Sequence, residues 1–399
     1  MISEKYKNLK LNNFLSLCGK DKINGGFFMK KTIALVLALV LVVAMATSCA
    51  APAATSSSAA AATTAAAATT KAAATTAAAT TAAASKAASG GVKEIAVIIK
   101  ATDSDFWQYV LVGALNYAYE NSDKVHVTTY GPPSESDIDK QVQILDEVVS
   151  KKPDGIVIAS TSSDAANNGI DAAAAAGIPL VTIDNKVTTD TYITHYATDN
   201  KAAGAQAAQR FVDELNTRKV ELKGTVGLIS AMSGVQVLTD REDGFVNKLK
   251  ELAPNVKVLD KVYVDNDIPK ALTAAEDIYT ANKDTLIGYF ASNNATGDGL
   301  AQFMTENSLG DKLVGVTFDS DKVEIDAIKA GVITATVIQN PYQMGYKGVD
   351  TVYQIASGAK KAADYEKYYD TGVSIVDKAN VESKDMAGII DPTSLKEYK

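Results

Sequence analysis

From residue 92 onward the chain alternates between two hydrophobic periods. Short, nearly unbroken apolar runs rich in Val, Ile and Tyr fall at 95–99, 125–129, 155–159, 180–183 and 192–196. A second series falls at 226–229, 256–264, 286–290, 313–317 and 332–337. Between them lie segments with apolar residues every three or four positions, at 106–120, 137–150, 165–176 and 202–215, then at 240–252, 269–281, 297–307, 323–330 and 344–357. Continuous apolar strands separated by helices read as parallel sheet buried on both faces, because each crossover lays a helix across the sheet. Two runs of about five strands therefore predict an α/β fold of two doubly wound, Rossmann-like lobes in tandem.

In such sheets ligands gather at the carboxyl ends of the strands, so the residues that follow each strand matter most. After 95–99 come Asp103, Ser104, Asp105, Phe106 and Trp107; after 180–183 come Asp184 and Asn185. In the second half, Arg241 follows the loop after 226–229, Asn293 and Asn294 follow 286–290, Asp319 follows 313–317, and Gln339 follows 332–337. The set suits a sugar, whose hydroxyls both donate and accept around an apolar C–H face. Carboxylates accept, Arg donates in a fork, Asn and Gln do both, and an aromatic slab covers the C–H face. A strand-end Asp or Asn can also be a plain helix cap, and Phe106 and Trp107 can be plain core.

No catalytic grouping emerges. There is no P-loop, no G-x-S-x-G elbow and no H-E-x-x-H. Gly297-Asp298-Gly299 begins a phosphate fingerprint, but Gln302 stands where its third Gly belongs. The two His, His126 and His195, read as structural, and two Cys with two His leave no structural zinc set and no disulfide framework. No cofactor, metal or catalytic residue is expected.

The first ninety residues read differently. Residues 29–48 have a Lys30-Lys31 start, an apolar run from 32 to 46 and a small-residue end, which is a secretory signal peptide rather than a span. Cys49 directly after it resembles a lipobox, in which the thiol carries the lipid and becomes the mature N-terminus. Residues 50–89 are Ala, Thr and Ser apart from Pro52, Lys71 and Lys86, with no apolar stripe to pack. As a flexible coil this tether (49–91) reaches about 35 Å. Gly25-Gly26 shortly before Met29 reads like a translated ribosome-binding site, so residues 1–28 are expected to be a mis-called extension.

Charge then changes the picture. The whole chain carries 39 Lys+Arg and 47 Asp+Glu. Residues 1–91 hold nine of the first and two of the second, leaving 30 against 45, or −15, on residues 92–399. So acidic a domain is no nucleic-acid binder, whose footprint is a basic face.

From residue 93 to the end the chain resembles the periplasmic binding protein type 1 family, the ribose- and galactose-binding group of ABC sugar importers. The resemblance rests on DFW at 105–107, PLVTIDN at 179–185, ATDN at 197–200, REDGF at 241–245, FASNNATGDGL at 290–300, VGVTFDS at 314–320 and ATVIQNPYQMGYKGV at 335–349. It implies a cleft over a hinge of three crossings, near 197–199, 339–340 and 369–372. Lobe 1 would then comprise 92–197 and 340–370, and lobe 2 198–339 and 371–399. Family positions that touch sugar match Phe106, Trp107, Asp184, Arg241, Asn293, Asp319 and Gln339, and Asp103 and Asn185 join them as candidates. Departures are Asn185 where ribose binders place an Arg, Ser104-Asp105 in place of Asn-Pro, and Asn266 in place of an aromatic. These point away from ribose itself, toward another pentose, a hexose or a polyol.

The resemblance implies a monomeric lipoprotein on the outer face of a bacterial cytoplasmic membrane, delivering sugar or polyol to an ABC permease. A sensor serving a kinase or chemoreceptor, and a nucleoside binder stacking a base on Phe106 and Trp107, stay open as alternatives. A tethered enzyme lacks a catalytic grouping, and a LacI-like repressor would need a helix-turn-helix in place of the signal peptide.

Overall fold

A computed structural model describes residues 91–395. The extension at 1–28, the signal peptide, Cys49 and nearly all of the tether lie outside the described residues. The described chain contains thirteen strands and ten α-helices.

The first sheet is built from β1 (Lys93–Ile98), β2 (Val125–Tyr130), β3 (Gly155–Ile158), β4 (Leu180–Ile183) and β5 (His195–Ala197), joined late by β12 (Tyr368–Asp370). Its order is β12-β5-β4-β3-β1-β2 and every pairing is parallel. Crossovers run through α1 (Asp105–Glu120), α2 (Ile138–Lys151) and α3 (Asn167–Ala175). Apart from Glu94 near the start of β1, the central strands are buried along their length, as a sheet covered on both faces requires.

The second sheet takes β6 (Gly224–Ser230), β7 (Val256–Val258), β8 (Val262–Tyr263), β9 (Leu286–Ala291), β10 (Val314–Phe318), β11 (Ala335–Ile338) and β13 (Ser374–Asp377). Its order is β13-β11-β10-β9-β6-β7, with β8 also on β6. Its helices are α4 (Asn200–Thr217), α5 (Gln236–Leu252), α6 (Ile268–Asn282), α7 (Asn294–Glu306) and α8 (Lys322–Ala330). Strand for strand it repeats the first sheet: β6, β9, β10 and β11 take the places of β1, β3, β4 and β5. Two details depart from the sequence reading. The apolar run 256–264 is two short strands against β6, and β13 is antiparallel to β11, so the second sheet is not wholly parallel.

The chain passes from one sheet to the other three times: between β5 and α4, between β11 and α9 (Pro341–Ala356), and between β12 and β13. Capping makes the first two passages short. Asp199 accepts from the Ala202 N–H and starts α4, while Asn340 accepts from the Gln343 N–H ahead of Pro341 and starts α9. Asp370 ties the first and third passages together, accepting from the Asp199 and Gly372 N–H groups. Thr198 Oγ1 donates to Gln339 Oε1 at 2.9 Å and ties the first to the second.

Each lobe also locks a helix leaving the hinge against one facing the cleft. α9 crosses α1 at Gly113 and Gly345, and α4 crosses α5 at Gly204 and Gly244. A Cβ at Gly204 would overlap the Arg241 carbonyl oxygen, and one at Gly113 would overlap that of Tyr342. The chain ends, within the described residues, on α10 (Lys384–Ile390) and a short 3-10 turn at Pro392–Leu395 that packs on α1. Four extended apolar clusters, two per sheet, form the core.

Candidate functional site

The carboxyl ends of the two sheets face one another across a cavity. Seven of the nine residues singled out from the sequence line it: Phe106, Trp107, Asp184, Arg241, Asn293, Asp319 and Gln339. Asp103 is exposed on the loop before α1 and does not line it. Asn185 is buried beside the cavity, where it holds the lobes rather than the space between them. Its Nδ2 donates to Thr161 O at 3.1 Å, and its Oδ1 accepts from the Val237 N–H of the other lobe at 3.3 Å. On the far side, Asn294 Nδ2 donates across the cleft to Ser104 Oγ at 3.0 Å.

Lobe 1 supplies one apolar wall and a charge pair. Phe106 and Trp107 open α1 and meet edge to face, centroids 4.8 Å apart. Trp107 Nε1 donates to Glu135 at 2.6 Å, so the indole plane is fixed. Lys100, 2% exposed, follows β1 and reaches Asp184 at 2.6 Å, with its ammonium 5.3 Å from the Trp107 ring centroid. The Asp184 backbone lies in the left-handed region at φ 62°, its N–H still bonded to Tyr196 O on β5. That conformation costs roughly 1–2 kcal/mol for a residue with a Cβ, and turns the carboxylate off the strand into the cleft.

Lobe 2 repeats the device. Asp319 ends β10 at φ 77°, its N–H bonded to Val337 O on β11. Its carboxylate accepts from Gln339 Nε2 at 2.8 Å and from the Asn294 N–H at 3.1 Å. Arg241, 2% exposed on α5, lies with its guanidinium carbon 3.8 Å from the Phe318 ring centroid. Its Nε and Nη2 donate to Asn200 Oδ1 and its Nη1 to Ser292 O. Two of the five guanidinium N–H groups are left to face the cleft. Val235, Val237 and Leu238 form the opposing aliphatic wall. Asn293 does two jobs at once: it caps α7 through a capping box and lines the cavity, with Nδ2 donating to Asn266 Oδ1 at 2.7 Å. Asn266, at φ 55°, thus spends its side chain on Asn293 where the family pattern places an aromatic.

Electrostatics follow from burial. Desolvation pushes the Glu135 and Asp319 carboxyls up, against the pull of Lys100 and Arg241 respectively, and lowers the Arg241 guanidinium from its ordinary value. The cations Lys100 and Arg241 thus stand among the carboxylates Asp184, Glu135 and Asp319, so each charge in the cavity has an opposite charge near it. His195 stays outside it: burial lowers it to about 4, so it is a neutral partner of Thr182 Oγ1 at neutral pH. No group of His, Cys, Asp and Glu among the described residues could hold a metal ion.

Six lining residues escaped the sequence reading: Lys100, Glu135, the aliphatic Val235, Val237 and Leu238, and, as a lining residue, Asn294. Lys100 carried a signal, being a Lys placed directly after an apolar strand. Glu135 carried none, since it reaches the cleft from an irregular loop after β2.

The family model described as "Periplasmic binding protein domain" matches residues 95–360. The ribose import binding protein of Salmonella typhimurium is 26% identical over 68% of this chain and 87% of its own length. The D-allose-binding periplasmic protein of Escherichia coli is 28% identical over 69% and 85%. Among solved structures, a carbohydrate transporter solute-binding protein of Agrobacterium radiobacter in complex with D-arabinose aligns at TM-score 0.71 and 32% identity, covering 76% of this chain and all of that one. An ABC transporter solute-binding protein of Agrobacterium vitis with bound D-fucose aligns at 0.68 and 33%, covering 74% and 99%.

Proposed function

The chain belongs to the periplasmic binding protein family, and on that premise we propose that it captures an uncharged pentose or hexose in the cleft between its lobes. It is a sugar-binding protein of an ABC import system and not an enzyme. The observation that carries the ligand class is the charge balance of the cavity. Lys100 with Asp184, and Arg241 with Asp319, are already compensated within the protein, so an ionised ligand would bury an unpaired charge. Carboxylates, amides and spare guanidinium N–H groups suit hydroxyls, and the Phe106–Trp107 wall opposite Val235, Val237 and Leu238 suits a C–H face. The groups are held by one another, so little side-chain freedom is lost on binding.

Capture works by differential affinity. A sugar bound to one lobe gains the other lobe's groups only when the cleft closes, and so shifts the open–closed population toward the form a permease accepts. In the same reading the three passages are the hinge, with 92–197 and 340–370 moving against 198–339 and 371–399. Residues 29–48 are the signal peptide, Cys49 the lipid attachment point, 50–91 the tether, and residues 1–28 a mis-called extension. The mature protein works as a monomer anchored to the outer face of the cytoplasmic membrane. Radiolabelled palmitate should enter the wild-type chain and not Cys49→Ser.

The deciding experiment is a melt of the protein against D-allose, D-ribose, D-arabinose, D-fucose and D-tagatose, with nucleosides as controls. A true ligand at 100 times its Kd stabilises by about 2.7 kcal/mol. A shift with a nucleoside and with no sugar overturns the reading.

A further inference from the structure

Behind the cleft, in lobe 2, lie carboxylates that the sugar contacts do not use. Asp298 sits on α7, Asp321 at the N-cap of α8, and Glu324 one turn further along α8. Glu324 is fully buried, and the Thr317 hydroxyl is the one side-chain hydrogen-bond donor its carboxylate meets among the described residues. One oxygen of Asp298 and one of Asp321 have no hydrogen-bond partner among the described residues. Glu324 presses on the α7 turn that carries Asp298 so closely that a Cβ at Gly297 would overlap its carboxylate. Buried polar groups are nearly always fully paired, so three buried carboxyls this short of partners in one place require an explanation.

The surroundings offer no counter-charge. β10 brings Thr317 and Asp319, and β9 leads to Asn294; α1 of lobe 1 brings Ser104, Asp105 and Tyr109; the turn after α10 brings Asp391. None of these is basic. Arg241 faces Asp319, and Lys322 pairs with Asp326 on the exposed side of α8. Buried carboxylates without cations resolve the conflict by holding protons. Burial first, and repulsion between neighbours second, raise Asp298 to about 8 and hold Glu324 well above the carboxylate range. Burial also raises Asp321 to about 7, with repulsion from Asp319 and Asp105 adding to it and a hydrogen bond from Asn294 opposing.

Part of this environment belongs to the other lobe. Asn294 Nδ2 bridges Ser104 Oγ at 3.0 Å and Asp321 Oδ2 at 3.1 Å, and Asp105 is the next residue along. Separating the lobes removes both the cover of α1 and the Asp105 charge from Asp321, while Glu324 stays inside lobe 2. We infer that the Asp298–Asp321–Glu324 cluster is a proton-binding site whose occupancy is coupled to closure of the cleft. The inference rests on the two-lobe closure proposed above, and not on which sugar is bound.

The sign follows from linkage. A carboxyl whose value is raised when closed and falls toward the ordinary one when open takes up a proton on closing, so closure is favoured as pH falls. The closed population rises as pH drops from about 8 to 5 and levels off at its highest value below about 4, where both forms are protonated.

The test reads closure directly. Ser136→Cys in lobe 1 and Val323→Cys in lobe 2, with Cys18 and Cys49 replaced by Ser, carry a dye pair for energy transfer on the full chain without sugar. The closed population should rise at least about fivefold between pH 8.5 and 5.5. Asp321→Asn should flatten the titration, and Asp298→Asn, by removing a second carboxyl that feels the Asp105 charge, should make it shallower. A closed population independent of pH, or an unchanged titration in both variants, overturns the proposal. With D-allose or D-ribose added at pH 8.5, closure would support the sugar reading separately; its absence leaves the pH titration intact.

Discussion

The two lobes solve one problem with different chemistry. Both turn an Asp into the cleft by a left-handed backbone at the end of equivalent strands, Asp184 on β4 and Asp319 on β10. Both keep that residue's N–H in the ladder to the next strand. They diverge in what holds the carboxylate. Lobe 1 answers Asp184 with the ammonium of Lys100 at 2.6 Å. Lobe 2 answers Asp319 with an amide and a backbone N–H, and keeps its cation on a helix, braced by Asn200 and Ser292. A duplicated backbone can therefore fix where a charge points while leaving the partner free to vary. Position is set by the strand end, and chemistry by whichever neighbour reaches it.

Substitutions made in matched pairs can break this comparison. The largest effect is expected in lobe 2. Arg241→Met leaves Asp319 short of a buried cation, and should cost about 3–5 kcal/mol in urea denaturation while removing measurable sugar binding. Stability within 1 kcal/mol of wild type would mean the guanidinium is not needed as a counter-charge. The lobe 1 counterpart is reversible by design. Lys100→Met alone should cost about 3 kcal/mol by stranding Asp184, and adding Asp184→Asn should restore most of that stability without restoring binding. Additive losses in the double variant would show that the pair is not coupled.

Next come the helix crossings. Gly113→Ala and Gly204→Ala should each destabilise by about 1–3 kcal/mol, because backbone must move to admit the methyl group. Only Gly204→Ala should also weaken sugar binding, since the carbonyl in its way is that of Arg241 itself. Equal affinity losses in the two variants would erase the distinction between lobes. The smallest effect concerns the walls. Trp107→Phe keeps a slab but strands Glu135, and should weaken binding by about 1–2 kcal/mol in calorimetry. Leu238→Val, which only trims the facing wall, should change it by less.

The same contrast explains what could be read from sequence. Strands with period and apolarity betrayed both sheets, and side chains just past strand ends betrayed Asp184, Asp319, Arg241 and Gln339. A position past a strand end does not say which way the chain then turns. Asp103 follows β1 like its neighbours, yet the loop carries it into solvent, while Asn185 is drawn sideways to span the lobes. Glu135 comes from a loop whose path no local pattern encodes. The short strands β12 and β13 were missed because three or four half-exposed residues make no hydrophobic period. α5 begins at Gln236 rather than at 240, because Val235, Val237 and Leu238 turn toward the cleft and form an apolar cluster of their own.

Trp107 is the only tryptophan in the chain. Its indole sits in the cavity wall with one hydrogen bond to a carboxylate and a lysine ammonium over its ring. All tryptophan emission of the protein therefore originates a few ångströms from the arriving ligand, in a field that changes when those charges are redistributed. The protein is an optical reporter of its own occupancy, readable without a label, and a starting scaffold for a sugar sensor whose signal comes from one fluorophore.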